Sequence, residues 1–108
     1  MDTKEIRNKF LLEELSKTEM DDIDISYIVL RKDSLEAIFN NQGVLLNEIK
    51  DFKYEGHKAT LIYERDLKEN KIVFDLLDEE VANKIIIFIN ALKKAKQMAF
   101  LRYYFKYA

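Results

Sequence analysis

The C-terminal part of the chain carries a long stripe of apolar residues at helical spacing, and this stripe constrains the fold more than any other feature. Its members are Val81, Ile85, Phe88, Leu92, Ala95 and Ala99. Their 4-3-4-3-4 spacing places them on one face of a helix. Asp78 is a suitable N-cap, and the acids Glu79 and Glu80 favour the positive end of the helix dipole. The pattern predicts an amphipathic helix over residues 79–106 that lies on a sheet.

A second helix is predicted near the N-terminus, over residues 3–19. Asp2 is a suitable N-cap, and Glu5, three residues later, completes a capping-box pattern. Two apolar pairs at i,i+4 spacing give this helix a side to bury: Ile6 with Phe10, and Leu11 with Leu15. The acidic segment 21–24 that follows is expected to be a solvated loop.

Between the helices the residues are typical of short strands separated by turns. The predicted strands are 23–30, 34–39, 44–49 with a continuation over 52–55, 59–65 and 71–77. Turn signals lie at residues 40–43 and 56–57, and Gly43 is free to adopt a positive φ. Short strands joined by tight turns form an antiparallel meander. The predicted fold class is therefore α+β: an antiparallel β-meander of about five strands, flanked by an N-terminal helix and a long C-terminal amphipathic helix.

Length and composition indicate one domain, residues 1–108, with 48% hydrophobic residues to form a core. The chain has no cysteine, no proline and only two glycines. This excludes a disulfide framework, a thiolate zinc site, a cysteine nucleophile and a glycine-rich phosphate loop. The first residues are charged where a signal peptide needs an apolar run, so we expect a cytoplasmic protein. Frequent Lys, Ile and Asn are usual in proteins of AT-rich bacteria and their phages.

Charge is distributed unevenly along the chain. Residues 81–108 contain six basic residues and no acid, whereas residues 1–80 contain the other 12 basic residues and all 20 acids, a net charge of −8. Such separation bears on partners rather than on the fold. One hypothesis is that the acidic part inhibits a host nuclease or defence complex by occupying a basic site, as small acidic proteins of phages and mobile elements do.

The order of strands and closing helix resembles pleckstrin-homology-like (PH-like) and GRAM-like domains. The resemblance covers about residues 23–95. It rests on a short strand at 35–39, the turn at 41–43, the strand 44–49, two further strands, and the helix that starts at Asp78. The full fold has seven strands. The resemblance implies a binding module for lipids, peptides or proteins rather than an enzyme.

The lipid-binding role of that family is not supported by the residues in the corresponding loops. Members that bind phosphoinositides use a basic cluster in the first hairpin loops. Here those loops carry Arg31, Lys32 and Asp33, and then the neutral residues 40–42. Two cations beside an acid are too little positive charge for a polyanionic headgroup.

The end of the last helix is the strongest candidate for a functional surface. The residues expected to contact a partner are Phe100, Arg102, Tyr103, Tyr104, Phe105 and Tyr107. On a helix they point in nearly every direction, although a helix on a sheet buries only one face. Tyr and Arg are enriched in interface hot spots, so we expect a protein partner or a homodimer. The alternative is that the N-terminal helix covers these residues and makes them core.

The same segment has features that suit two further kinds of partner. Basic groups among aromatic residues can bind phosphates and stack on bases, or lie on an anionic membrane. The overall acidic character of the chain argues against both nucleic acid and membrane.

Enzymatic chemistry has little support in the sequence. Asp21, Asp22 and Asp24 could supply oxygen ligands to a metal, but the calcium-loop pattern is missing. Asp51 lies in an acid-x-Lys element of the kind found in some metal-dependent nucleases, a match that arises easily by chance. His57, the only histidine, lies in a predicted turn without a partner nucleophile. We therefore expect no catalytic residues, no metal and no cofactor.

Overall fold

Two helices and seven short antiparallel strands make up the computed structural model, which describes residues 2–107. The elements in chain order are α1 Thr3–Ser16, β1 Ile23–Ile25, β2 Ile28–Leu30, β3 Glu36–Phe39, β4 Gln42–Leu45, a 3₁₀ turn Leu46–Glu48, β5 Ile49–Glu55, β6 Lys58–Arg65, β7 Lys68–Asp75 and α2 Glu79–Tyr107. The strands form two sheets in sequential order, β1-β2-β3-β4 and β5-β6-β7. The predicted α+β class with an antiparallel meander is confirmed, with seven strands in place of about five.

Helix α1 begins as predicted and ends earlier than predicted. The side chain of Asp2 accepts a hydrogen bond from the backbone N–H of Glu5 at 2.8 Å, which is the expected N-cap. The helix ends at Ser16 rather than at residue 19. Thr18 closes it, because both its N–H and its hydroxyl donate to the carbonyl of Leu15, at 3.1 and 2.7 Å.

The first sheet contains a hairpin that the sequence does not reveal. The predicted strand 23–30 folds back at Ser26-Tyr27, so that β1 pairs with β2 and Ile23 lies opposite Leu30. Both residues are buried. A continuous run rich in β-branched residues therefore supplies two short strands, and more buried side chains alternate with less buried ones on each side of the turn.

Three two-residue turns have both central residues at positive φ, as in hairpins that follow the twist of their strands. The pairs are Asn40-Asn41, Gly56-His57 and Asp66-Leu67. The expectation for Gly43 was wrong, because it lies inside β4 opposite Ile38. Asn40 and Asn41 take the positive φ angles instead, 50° and 65°. Asparagine tolerates this region well, which explains why the hairpin forms without glycine.

The second sheet is built on three longer strands. The predicted strand 44–49 is interrupted by the 3₁₀ turn, which separates β4 from β5 and so divides the meander into two sheets. Strand β7 begins at Lys68, earlier than the predicted residue 71, because the turn before it needs only two residues. Here the charged segment 66–70 is mostly strand and not loop.

Helix α2 closes the structure. The carboxylate of Asp78 accepts from the backbone N–H groups of Glu80 at 3.0 Å and Val81 at 3.3 Å, as expected of an N-cap. The buried face consists of Ala82, Ile85, Phe88, Ile89, Leu92, Ala95 and Ala99. It joins buried side chains of both sheets and of α1 in one apolar cluster. No polar or charged residue among residues 2–107 is buried, so the core is apolar throughout.

Candidate functional site

Helix α2 is longer than the sheet on which it lies. Its 29 residues correspond to about 43 Å of helix, close to the 44 Å long dimension of the molecule. Midway along, Lys93 reaches Asp51 of β5 at 2.8 Å, and Lys96 donates to the Ile49 carbonyl of the same strand at 2.7 Å. Beyond this point, the polar contacts of α2 within residues 2–107 are made with α1.

Helix α1 engages two of the predicted partner-binding residues. The Arg102 guanidinium donates to Glu13 at 2.6 Å and to Glu14 at 2.9 Å, and it lies 4.2 Å from the ring centroid of Phe10. The hydroxyl of Tyr103 lies 3.0 Å from that of Thr3. Arg102 and Tyr103 thus link the helices within the chain, as the alternative interpretation expected for this part of the segment.

The hydrogen bonds made by Arg102 also stabilise the charged forms of Arg102 and Glu14. They raise the pKa of Arg102, and the hydrogen bond from Lys17, together with the bond from Arg102, holds the pKa of Glu14 below its ordinary value. Two charged hydrogen bonds from one guanidinium to two carboxylates of α1 fix the position of Arg102 relative to that helix.

The other four predicted residues lie on the surface. Phe100, Tyr104 and Tyr107 are each about half exposed, and Phe105 is 79% exposed. The rings contact one another: the centroids of Phe100 and Tyr104 are 6.4 Å apart, and those of Tyr104 and Phe105 are 5.5 Å apart in an edge-on arrangement. They form an aromatic patch without a covering element in residues 2–107.

A second apolar stripe, which we call the outer stripe, runs along α2 on the side away from the core. It comprises Ile87, Ala91, Lys94, Met98, Leu101 and Phe105. It has the same 4-3-4-3-4 spacing as the stripe predicted from Val81 to Ala99, and Lys94 is its one polar member. The spacing rule that predicts the first stripe therefore also identifies this one.

Exposed apolar side chains are concentrated at this end of the helix. Of the 11 large hydrophobic side chains that are exposed within residues 2–107, six lie between Met98 and Tyr107. Single exposed hydrophobic residues are normal on a protein surface, whereas a contiguous group indicates a contact surface.

The acidic residues considered as metal ligands are dispersed. Asp24 pairs with Arg31, Asp22 accepts from the backbone of Lys32, and Asp51 pairs with Lys93. In the described part of the chain, no three carboxylate or histidine side chains come together as a metal site. The hydrogen bond from Lys93 keeps the pKa of Asp51 below its ordinary value.

His57 lies in a turn, as predicted. Its Nε2 atom is 3.4 Å from a carboxylate oxygen of Glu79, and its ring centroid is 6.5 Å from that of Tyr54. The imidazole is half exposed and lies just after the end of β5, beside the first residue of α2. This arrangement contains no nucleophile.

No helix within residues 2–107 is long and apolar enough to cross a membrane. Comparisons of this chain with protein-family models, curated proteins and solved structures found no match.

Proposed function

We propose that this chain is a non-enzymatic, PH-like interaction module that self-associates through the outer end of α2. The number and grouping of the strands support the PH-like assignment. Seven strands lie in sheets of four and three, and a single long helix follows them. Helix α1 is an addition to that pattern, and it leaves the outer stripe uncovered.

The outer stripe is the observation that carries the proposal. Alternating steps of three and four residues are the spacing of a helix-to-helix seam, in which side chains of one helix fit between those of another. Met98, Leu101 and Phe105 occupy consecutive positions of the stripe and are all exposed. The partner best suited to it is another helix with the same stripe.

A second copy of this chain supplies such a helix. From Met98 to Tyr107 the only charged residues are Arg102 and Lys106, and Arg102 is neutralised by Glu13 and Glu14. Two copies can therefore bring these ends together against little charge repulsion. In an antiparallel pair with the two-fold axis between Met98 and Leu101, Phe105 meets the Lys94 position of the other helix, a favourable cation–π contact.

The test is the molar mass in solution, measured by light scattering on a sizing column. Wild-type protein should be a dimer. Leu101→Glu should weaken dimerisation by about 100-fold or more, because it removes a central apolar contact and buries a charge. Leu77→Glu is the matched control, since Leu77 is an exposed leucine that lies outside the stripe, just before α2.

Two results would contradict the proposal: a monomeric wild type at high micromolar concentration, or a Leu101→Glu variant that remains a dimer. Circular dichroism should show both variants folded. The dependence of binding on ionic strength distinguishes this proposal from the acidic-inhibitor hypothesis. Association through an apolar seam persists at high ionic strength, whereas charge-driven binding weakens.

The absence of cysteine permits a direct check of the geometry. Under mild oxidation, Leu101→Cys should form a covalent dimer, because the two thiols approach each other near the two-fold axis. Leu77→Cys should remain monomeric on a denaturing gel. The reverse result would place the contact elsewhere on the molecule.

A further inference from the structure

A basic cleft lies on the inner side of α2, where α1 and the 3₁₀ turn approach it. Its volume is about 350 Å³, within the range of small-molecule sites. The polar and aromatic side chains at its wall are Lys4, Arg7, Asn8, Asn47, Lys96 and Phe100. The buried residues Leu11 and Ala99, together with Thr3, complete the lining, so the cleft combines an apolar surface with positive charge.

Lys96 is the innermost of the three cations. Its ammonium group donates one hydrogen bond, to the carbonyl of Ile49, and makes no ion pair within residues 2–107. An ammonium has three N–H groups, so two remain for another acceptor. Burial, reinforced by the nearby charge of Lys50, lowers the pKa of Lys96 to about 8. A half-buried cation of this kind gains much from an added anion.

Arg7 differs from the other arginines of the chain. Arg31, Arg65 and Arg102 each pair with one or more carboxylates. Arg7 pairs with none in the described residues and lies 5.6 Å from the centroid of the Phe100 ring. Its fork of donors is therefore available at the mouth of the cleft.

The acids nearest the cleft are engaged elsewhere. Glu48 receives two hydrogen bonds of 2.8 Å from Arg65, and Glu64 pairs with Lys50 at 3.6 Å. Among residues 2–107, no carboxylate lines the cleft. Lys4, Arg7 and Lys96 make no ion pair within these residues, although the charge of Glu48 acts on Lys4 and that of Glu64 acts on Lys96.

Two amides add neutral polar groups to the wall. The Asn47 side chain donates to that of Asn8 at 2.9 Å, which leaves the Asn8 amide N–H groups and the Asn47 oxygen for other partners. The aromatic face of Phe100 supplies a flat apolar surface at one side, since this ring is half exposed.

We propose that the cleft binds a small phosphomonoester, with the phosphate among Lys4, Arg7 and Lys96 and an apolar or aromatic body on Phe100. Three cations that have no ion-pair partner in residues 2–107 favour a group with about two negative charges over a single carboxylate. The site is separate from the outer stripe, so it does not depend on self-association.

The test is a calorimetric titration with phenyl phosphate, benzoate, inorganic phosphate and benzyl alcohol, run on wild type and in a Leu101→Glu background. Phenyl phosphate should bind most tightly, benzoate and inorganic phosphate more weakly, and benzyl alcohol not at all. Lys96→Met and Arg7→Met should each weaken phenyl phosphate by about tenfold or more, since each removes a charged hydrogen bond. Lys84→Met, an exposed lysine of α2 outside the cleft, is the control.

Absence of saturable binding, or binding that Lys96→Met and Arg7→Met leave intact, would overturn the proposal. So would equal affinity for phenyl phosphate and benzyl alcohol. Vesicle sedimentation distinguishes two sources of the ester. Retention on phosphatidic acid vesicles that Lys96→Met abolishes assigns it to a lipid headgroup, and phenyl phosphate binding without such retention assigns it to a soluble compound.

Discussion

The predicted core stripe of α2, which starts at Val81, has the same spacing as the outer stripe of the same helix, yet only the core stripe has a partner within residues 2–107. Phe88 of the core stripe is fully buried, whereas Phe105 of the outer stripe is 79% exposed. The difference arises from what surrounds the helix. Sheet β5-β6-β7 and α1 cover one side, and no element of residues 2–107 covers the other. Periodicity therefore identifies an apolar face, and the rest of the fold decides what that face contacts.

The largest expected effect on stability comes from replacing a phenylalanine by alanine on each of the two stripes in turn. In the monomeric Leu101→Glu background, Phe88→Ala should lower the free energy of unfolding by about 3–5 kcal/mol, because it leaves a cavity in the core. Phe105→Ala should change it by about 0.5 kcal/mol or less, as at other exposed sites. Urea unfolding followed by circular dichroism measures both. Similar losses for the two variants would mean that Phe105 is part of the core and that the comparison is wrong.

A smaller effect is expected where the two sides of α2 meet, at Arg102. Arg102→Met should lower the melting temperature by several degrees, because Glu13 and Glu14 then each lose a charged hydrogen bond at the contact between α1 and α2. Arg31→Met is the control, since the Arg31–Asp24 pair is exposed and joins no helices. Differential scanning calorimetry provides the comparison.

Amide hydrogen exchange on the same variant shows which helices and strands are destabilised. Arg102→Met should increase exchange within α1 and spare β5, β6 and β7, if the arginine serves mainly to hold α1 in place. Unchanged exchange in α1 would show that its apolar contacts alone are sufficient.

Much of the fold follows from signals local in sequence. The N-caps Asp2 and Asp78 act as predicted, and the buried face of α2 lies where its spacing placed it. The failures concern strand number. The run 23–30 contains no glycine, proline or asparagine to mark its turn, and the 3₁₀ turn at 46–48 has no distinctive composition. Both turns depend on how the sheets pack, and this packing cannot be predicted from a local sequence pattern.

The candidate surface was harder to predict because it depends on α1. The sequence shows six large or charged residues at the end of α2, but not which of them face a second helix. Arg102 and Tyr103 are drawn toward α1 by Glu13, Glu14 and Thr3, residues roughly 90 to 100 positions away in the chain. The basic cleft is likewise assembled from three separate segments, so its cations appear unrelated in the sequence.

The smallest effect separates two lysines of α2, Lys94 of the outer stripe and Lys96 of the cleft. Burial, together with the charges of Lys50 and Arg7, lowers the pKa of Lys96 from 10.5 to about 8, and the charge of Glu64 opposes them. Between these two pKa values the unfolded chain binds more protons than the folded chain, so the contribution of Lys96 to stability rises with pH. Below about pH 8 the lysine is charged in both states, and the cost of burying that charge is fully present.

The stability difference between wild type and Lys96→Met should therefore shift in favour of wild type as the pH rises from 7 to 10. The difference between the two proteins cancels the pH dependence of the titratable groups that they share. A phosphate-free buffer leaves the cleft without an added anion. All three proteins carry Leu101→Glu, because in the proposed dimer Lys94 faces Phe105 of the other copy. In that monomeric background Lys94→Met, at an exposed position two residues earlier, controls for the loss of one positive charge. A difference for Lys96→Met that follows that of Lys94→Met at every pH would show that Lys96 is solvated like a surface lysine. A shift confined to Lys96→Met would show that Lys96 carries a partly buried charge on the inner side of α2, unlike the solvated Lys94 on its outer side.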